Sequence, residues 1–316
     1  MVEIENPILN DLFKQIQPGY TMPVKFEISG TPADKLVHSQ SQEILQPNGD
    51  LVVQIKDSPD VDYTLSHELM HMYLATTGFP QVQYHLLTGT PEIDKQHYAT
   101  ATALSTAALH AVVADWQREH GFLGDKQLDL LEKGFASALP KEPAGGDNLL
   151  IYRGLSLFDH MTLFVDGGSD DQKAQWQQDF PQAYPLAKDL YQTLTEKALD
   201  TPFAYRRAVV NLFARFNALV QAAGFQPLDN DEFATLPPVL SQRQLRLSLN
   251  QVFTLKHSAY RDRQTKRLAY VALGKGDRQN AFVLPLKDTT PAAMQSLYQQ
   301  PLGEILDQYQ LDYSVR

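Results

Sequence analysis

Apolar and polar positions recur along the chain in two periods, and each period predicts one kind of secondary structure. A spacing of about 3.6 residues, typical of helices with one buried face, occurs in six segments. They are residues 7–16, 90–122, 150–165, 172–197, 202–223 and 291–309. Short segments rich in apolar and β-branched residues predict strands. These are residues 24–28, 51–56, 245–255, 267–273 and 281–286. The patterns predict an α+β fold.

Breaks in these patterns predict three regions. Residues 140–147, which contain two adjacent glycines, and the Pro- and Asp-rich residues 225–238 are typical of connectors. We therefore expect a first domain at 1–140 with a small mixed sheet, a helical region at 141–238 and a small α+β region at 239–316. The neighbouring Arg206 and Arg207 in the helical region are interpreted as part of a solvated helix face.

The segment after the predicted strand 51–56 forms the helix around which the chain is organised. Asp60 or Asp62 can cap its start, and Gly78 followed by Pro80 ends it. Gly accepts the left-handed backbone of a helix end, and Pro cannot continue the hydrogen bonding. The apolar side chains of this segment fall on one side, which leaves the other side to polar groups.

This helix carries an H-E-x-x-H pentad at residues 67–71. His67 and His71 lie one turn apart on the side away from the apolar stripe, so their imidazole nitrogens can bind one Zn²⁺ ion. Glu68 lies beside that point. A carboxylate there can take a proton from a metal-activated water and pass it to a leaving amine. The pentad predicts a metal site with Glu68 as its catalytic base.

A catalytic zinc site needs a third protein ligand. His110 is the first candidate, because it shares a helix face with small side chains that let another helix approach closely. Glu92 follows His71 by 21 residues but lies in the first turn of its helix, and Asp115 points about 140° away from His110. His160 is a further alternative, and the choice stays open. Weaker candidates for an oxyanion donor are His97, Tyr98, His120, Tyr152 and His160.

The composition narrows the chemistry and the partners. The 316 residues carry a net charge of −10, which argues against nucleic acid or an anionic membrane as a partner. The chain has no cysteine, so a zinc ion must be held by His, Asp or Glu. The first 20 residues include four charged side chains and no continuous apolar run, which predicts no signal peptide. No apolar run of about 18 residues occurs elsewhere, and we expect a cytoplasmic protein.

The predicted strand, the short acidic loop and the H-E-x-x-H helix resemble the zincin superfamily of zinc metallopeptidases over roughly residues 20–122. Leu74 and Thr77 stand where the metzincins have Gly and a third His, which leaves a gluzincin-like arrangement with a ligand from a second helix. The resemblance implies that 1–140 is a zincin-like metal-binding domain and that strand 51–56 is an edge strand beside the substrate. It implies hydrolysis of a peptide or protein substrate. The alternative is a regulatory or binding protein that keeps such a domain without general proteolytic activity.

Overall fold

The computed structural model describes residues 4–316, of which 52% form helices and 16% form strands. The predicted mixture of helices and small sheets is therefore confirmed. The α-helices are α1 (Pro7–Ile16), α2 (Val61–Thr76), α3 (Pro91–Glu119), α4 (Asp125–Ala138), α5 (Leu150–Met161), α6 (Asp170–Asp179), α7 (Ala183–Thr195), α8 (Pro202–Ala222), α9 (Asn230–Phe233), α10 (Gln242–Leu245), α11 (Leu249–Val252), α12 (Pro291–Gln299) and α13 (Leu302–Gln308). The strands are β1 (Val24–Ser29), β2 (Ser41–Leu45), β3 (Leu51–Lys56), β4 (Leu86–Leu87), β5 (Val239–Leu240), β6 (Phe253–Asp262), β7 (Leu268–Gly274), β8 (Asn280–Leu284) and β9 (Ser314–Val315). None of the described helices is both long and apolar enough to cross a lipid bilayer.

The chain folds as two units, and each unit is assembled from two stretches of sequence. The first contains the described residues up to Thr77 together with Leu109–Ala187. The second contains Gly78–Ala108 and Lys188–Arg316. Because both units are discontinuous, neither is bounded at residue 140 or 238, where the connectors suggested boundaries. The pentad helix and His110 both belong to the first unit.

A three-stranded sheet supports the pentad helix in the first unit. Its strand order is β1-β3-β2, with β1 parallel and β2 antiparallel to β3. Strand β3 is therefore central, and its prediction as an edge strand is wrong. Its consecutive apolar residues Leu51, Val52 and Val53 are all buried, as in a strand covered on both faces. The more polar β2 forms the edge instead.

Helix α4 contacts the segment that leads into β2. The backbone N–H of Leu36 donates to the carbonyl of Leu130 at 3.0 Å. One turn further on, Gly134 lies so close that a Cβ atom there would stand 1.9 Å from the carbonyl oxygen of Leu36. Only glycine permits this approach, which holds the backbone just before β2 against the helix.

Replacing Gly134 by Ala is expected to lower the free energy of unfolding by about 1–3 kcal/mol, because the backbone of Leu36 must move away from the added methyl group. Urea unfolding of the variant measures the change. Gly145→Ala is the matched control, since a Cβ atom there would have no neighbour within 4 Å. Equal stability of the two variants would contradict the close packing.

The second unit contains two sheets and the long helix α8. The larger sheet has the antiparallel order β4-β6-β7-β8, and β5 pairs in parallel with β9. Helix α8 is amphipathic and buries a row of large side chains. These include Tyr205, Val209, Leu212, Phe213 and Phe216.

The predicted strand 245–255 is mostly wrong. Two short helices, α10 and α11, come first, and strand β6 begins only at Phe253. Ser241 and Ser248 each form a capping box with the glutamine three residues later, Gln244 and Gln251. This S-x-x-Q spacing starts a helix, and it outweighs the β propensity of the residues around it.

Two predicted helices are each interrupted near a proline. Segment 172–197 forms α6 and α7 with Pro181 between them, and segment 291–309 forms α12 and α13 with Pro301 between them. Proline lacks the backbone N–H that a helix interior requires, and it disfavours helical backbone in the residue before it. The periodicity therefore continues across a real break in the backbone.

Arg206 does not belong to a solvated helix face, so that interpretation is wrong. Its side chain is buried, donates to the carboxylate of Asp277 at 2.5 Å and donates through Nε to the carbonyl of Pro237 at 3.0 Å. The acidic partner lies 71 residues further along the chain, where no local pattern connects it with the arginine. Arg207, the next residue, is only half-buried.

Candidate metal centre

Helix α2 holds the pentad between two well-formed ends. Asp60 is the N-cap, and its carboxylate accepts a hydrogen bond from the N–H of Tyr63 at 3.1 Å. The helix ends at Thr76, and Gly78 follows in the left-handed conformation at φ +85°. Both signals agree with the sequence prediction. They set the register in which the two histidines face the same side.

His67 and His71 bring their Nε2 atoms to within 3.1 Å of one another. Their ring centroids are 4.7 Å apart, with the planes inclined by 65°. Two ligands that each lie about 2.0–2.1 Å from a tetrahedral zinc ion are roughly 3.3 Å apart. The spacing of the two nitrogens therefore suits two ligands of one ion.

His110 of α3 lies against both pentad histidines. Its ring centroid is 4.9 Å from that of His67 and 5.2 Å from that of His71. Gln117, two turns further along α3, holds the two helices together: its buried amide donates to the carbonyl of Tyr63 at 3.0 Å and to Ser66 Oγ at 2.7 Å. The first candidate for the third ligand is thus brought to the pentad.

Asp159 of α5 orients the ring of His110. Its Oδ1 atom lies 2.6 Å from Nδ1 of His110. An ionised carboxylate only accepts, so Nδ1 is the donor and Nε2 keeps a lone pair free for a metal. Burial by itself would raise the pKa of Asp159. The interactions with His110, which include the hydrogen bond, lower this pKa by more, so the net shift is downward. The carboxylate therefore stays ionised near neutral pH.

Replacing Asp159 by Asn is expected to weaken zinc binding about 10- to 100-fold, because the ligand ring loses the charge that orients it and raises its basicity. Competition with a chromophoric chelator measures the affinity. Asp129→Asn is the control, since Asp129 is exposed and no hydrogen bond or ion pair of its side chain is found within residues 4–316. An unchanged affinity in Asp159→Asn would contradict the orienting role.

The other predicted ligands lie elsewhere. Glu92 is exposed and belongs to the second unit. Asp115 is exposed and pairs with Arg118 at 2.5 Å. His160 donates through Nε2 to Oε2 of Glu132 at 2.8 Å in a separate cluster of aromatic rings. None of the three joins His67, His71 and His110.

The predicted oxyanion donors also have other surroundings. In the second unit, His97 bonds to Asn230 at 2.9 Å, and Tyr98 packs beside Phe233. His120 stacks on Trp116, and Tyr152 is exposed. These surroundings explain the positions of the four side chains without any role at the metal centre.

A fourth imidazole, His38, was not predicted. Its ring stacks on His110 with the centroids 4.5 Å apart and the planes inclined by only 3°. The ligand atoms of His38, His67 and His110 all lie within 4.8 Å of one another, and 45% of the His38 side chain is exposed. His38 begins the short 3₁₀ turn before β2, 29 residues upstream of the pentad. Only the tertiary fold joins it to the site.

Glu68 is held on the strand side of the centre. Ser41 Oγ of β2 donates to Oε1 of Glu68 at 2.6 Å. Burial raises the pKa of Glu68, and the Ser41 hydrogen bond and the nearby His110 partly oppose the rise. Glu43 lies two residues beyond Ser41, hence on the same face of β2, and its pKa is raised by burial and by the charge of Glu68. The pKa of Glu68 therefore lies closer to neutral pH than the pKa of a free glutamate.

The two pentad imidazoles are held in the form that binds metals. Burial and the neighbouring histidines lower the pKa of His67 well below its usual value. Burial and His110 lower the pKa of His71 to about 3. Both rings are therefore neutral at pH 7, as metal ligation requires. An all-nitrogen donor set with one carboxylate behind it suits zinc among the common metals, so the residues present fit the ion.

Four residues of this centre were missed by sequence reasoning: His38, Ser41, Gln117 and Asp159. Each lies outside the pentad helix and meets it through tertiary contacts. The one available signal was the small set of nine histidines, four of which converge here.

Comparison with protein-family models, with curated proteins and with solved structures finds no match to this chain. The geometry of the centre therefore carries the functional inference.

Proposed function

We propose that the protein is a zinc-dependent peptidase in which Glu68 is the general base. The observation that carries this proposal is the position of Glu68: a half-buried carboxylate that is held by Ser41, interacts electrostatically with His110 and belongs to the helix of the two converging imidazoles. A metal that serves only the fold needs no such carboxylate. In a hydrolase the same carboxylate has a chemical task.

The residues that would hold the ion are His67, His71 and His110. A zinc ion bound there would act as a Lewis acid toward the scissile carbonyl and would acidify a water molecule. The two helices supply three imidazoles, and Asp159 orients the third. This set agrees with the gluzincin-like arrangement suggested by the sequence, in which a second helix supplies the third ligand.

Glu68 moves the protons of the reaction. Its carboxylate takes one proton from the attacking water as the new C–O bond forms, and it returns that proton to the amide nitrogen as the C–N bond breaks. A raised pKa makes the carboxylate a better acceptor for the proton of the water in the first step. The hydrogen bond from Ser41 occupies one oxygen, which leaves the other free to meet the water.

Strand β2 offers a place for an extended substrate. Within residues 4–316 it pairs with β3 alone, so its other edge keeps free backbone groups. A peptide that added to this edge would be held by main-chain hydrogen bonds independent of its sequence. Because Ser41 of the same strand contacts Glu68, the peptide backbone would run past the catalytic carboxylate.

The test is cleavage of a mixed peptide library by the zinc-loaded protein, followed by mass spectrometry. We expect defined cleavage products that disappear when a chelator removes the ion and return when zinc is restored. Zinc-loaded protein that leaves every peptide intact would refute the peptidase and favour a binding or regulatory protein.

The second candidate is a binding or regulatory protein whose metal centre is closed. His38 favours it, because an imidazole within reach of His67 and His110 could complete a four-histidine set with no open position. In this case the first unit would hold its ion for stability. Partner recognition would then be its function.

X-ray absorption at the zinc edge separates the two candidates. The peptidase predicts three imidazole ligands and one oxygen, unchanged in His38→Ala. The closed centre predicts four imidazoles in the wild type and three in His38→Ala. Peptide cleavage by the wild-type protein together with three imidazoles would exclude the closed centre.

A further inference from the structure

A pocket in the second unit combines cationic side chains with apolar walls. Its volume is about 490 Å³, within the range of roughly 300–1,000 Å³ that small-molecule sites have. Helix α8, strand β5, the start of β6, the turn between β7 and β8 and Arg316 form its walls. All of its lining residues belong to the second unit.

One arginine of the pocket is already neutralised. Arg206 pairs with Asp277 and donates to the carbonyl of Pro237, so its charge is committed to the fold. Among the described side chains that line the pocket, Asp277 has the one carboxylate. Its engagement with Arg206 leaves no acidic side chain there for the other cations.

Three further cations line the pocket without an acidic partner. For Arg207 and Lys275, no side-chain hydrogen bond or ion pair occurs in the part of the chain that the structure describes. Arg316 lies with its guanidinium 3.6 Å from the centroid of the Phe203 ring. Acidic residues outnumber basic ones by 37 to 27 in this chain, so partners for these cations are abundant in the sequence. Unpaired positive charge gathered in one concave site favours an anion.

The pocket also has an apolar side. Val210 and Ala214 of α8 line it, with Leu240 of β5 and Phe253 of β6. Guanidinium groups bind carboxylate and phosphate through paired N–H donors, and apolar walls bind hydrocarbon. A ligand that suits both parts has one anionic head and a short apolar body.

We propose that this pocket binds a small organic anion whose carboxylate or phosphate head lies between Arg207 and Lys275 and whose apolar body lies against Val210 and Phe253. The inference is independent of the metal centre, because no residue of the first unit contributes to it. It gives the second unit a ligand-binding role of its own.

Isothermal titration of the full-length protein with hexyl phosphate, hexanoate and hexylamine tests the proposal. We expect one or both anions to bind and the amine, with the same body and the opposite charge, to bind at least about tenfold more weakly. Binding of only the phosphate or only the carboxylate identifies the head group. Inorganic phosphate is expected to bind more weakly than hexyl phosphate, because it cannot use the apolar wall.

Arg207→Gln is the decisive variant, and Arg243→Gln is its matched control. Arg207 has no partner in the described chain, so its loss is not expected to disturb folding, and Arg243 is exposed outside the pocket. We expect Arg207→Gln to weaken anion binding about 10- to 100-fold and Arg243→Gln to leave it unchanged. Equal binding by the two variants, or anions that bind no better than hexylamine, would overturn the proposal.

Discussion

Replacing Glu68 by Gln is expected to lower kcat/KM for peptide cleavage by about 10²- to 10⁴-fold while the protein keeps its zinc. The amide has nearly the shape of the carboxylate and can still accept a hydrogen bond from Ser41, but it cannot take a proton from water. The loss should therefore appear in kcat more than in KM. Steady-state kinetics on a peptide identified from the library provide the measurement.

Two neighbouring variants make this result specific. Glu43→Gln removes a carboxylate from the same face of β2, and Ser41→Ala removes the hydrogen bond to Glu68 while leaving the base in place. Each is expected to retain far more activity than Glu68→Gln, because neither removes the group that moves the proton. A Glu68→Gln protein with wild-type kcat/KM would assign the base to another residue.

Replacing His110 by Ala is expected to weaken zinc binding by more than the roughly 10- to 100-fold that loss of an orienting carboxylate costs. Alanine removes the proposed ligand outright, and it leaves the half-buried Asp159 without its hydrogen bond to the imidazole. Chelator competition on matched samples of His110→Ala and Asp159→Asn gives the two affinities on one scale.

Variants at the other candidate ligands complete the comparison. Asp115→Ala lies on the same helix, and Glu92→Ala removes the alternative ligand named from the sequence; both side chains are exposed. We expect zinc affinity close to that of the wild type in both. A large loss in Glu92→Ala, with none in His110→Ala, would replace the three-histidine set by a different one.

Local signals predicted the elements that depend on local chemistry. Helix α1 and helix α2 begin and end where their caps and breakers stand, and the strands at Val24 and Leu51 follow their apolar runs. The position of β3 in the sheet was beyond such signals. Two consecutive buried valines required cover on both faces, but the polar segment that pairs with β3 carried no strong strand pattern of its own.

The residues of the metal centre likewise divide into those that local spacing predicts and those that only tertiary contacts bring to the site. The pentad is contained in one helical turn, so its spacing alone placed His67, Glu68 and His71 together. The prediction of His110 depended on which helix approaches the pentad. The small side chains on the same helix face favoured the helix that carries His110. Asp159 meets His110 across 49 residues, and sequence spacing carries no information about such a contact.

Metal analysis of protein purified without added metal tests the central claim most directly. The three-histidine centre predicts about one zinc ion per chain, retained through dialysis and lost from the variant His67→Ala. A wild-type protein that contains no metal, and takes up none when zinc is supplied at neutral pH, would contradict both the centre and the peptidase proposed from it.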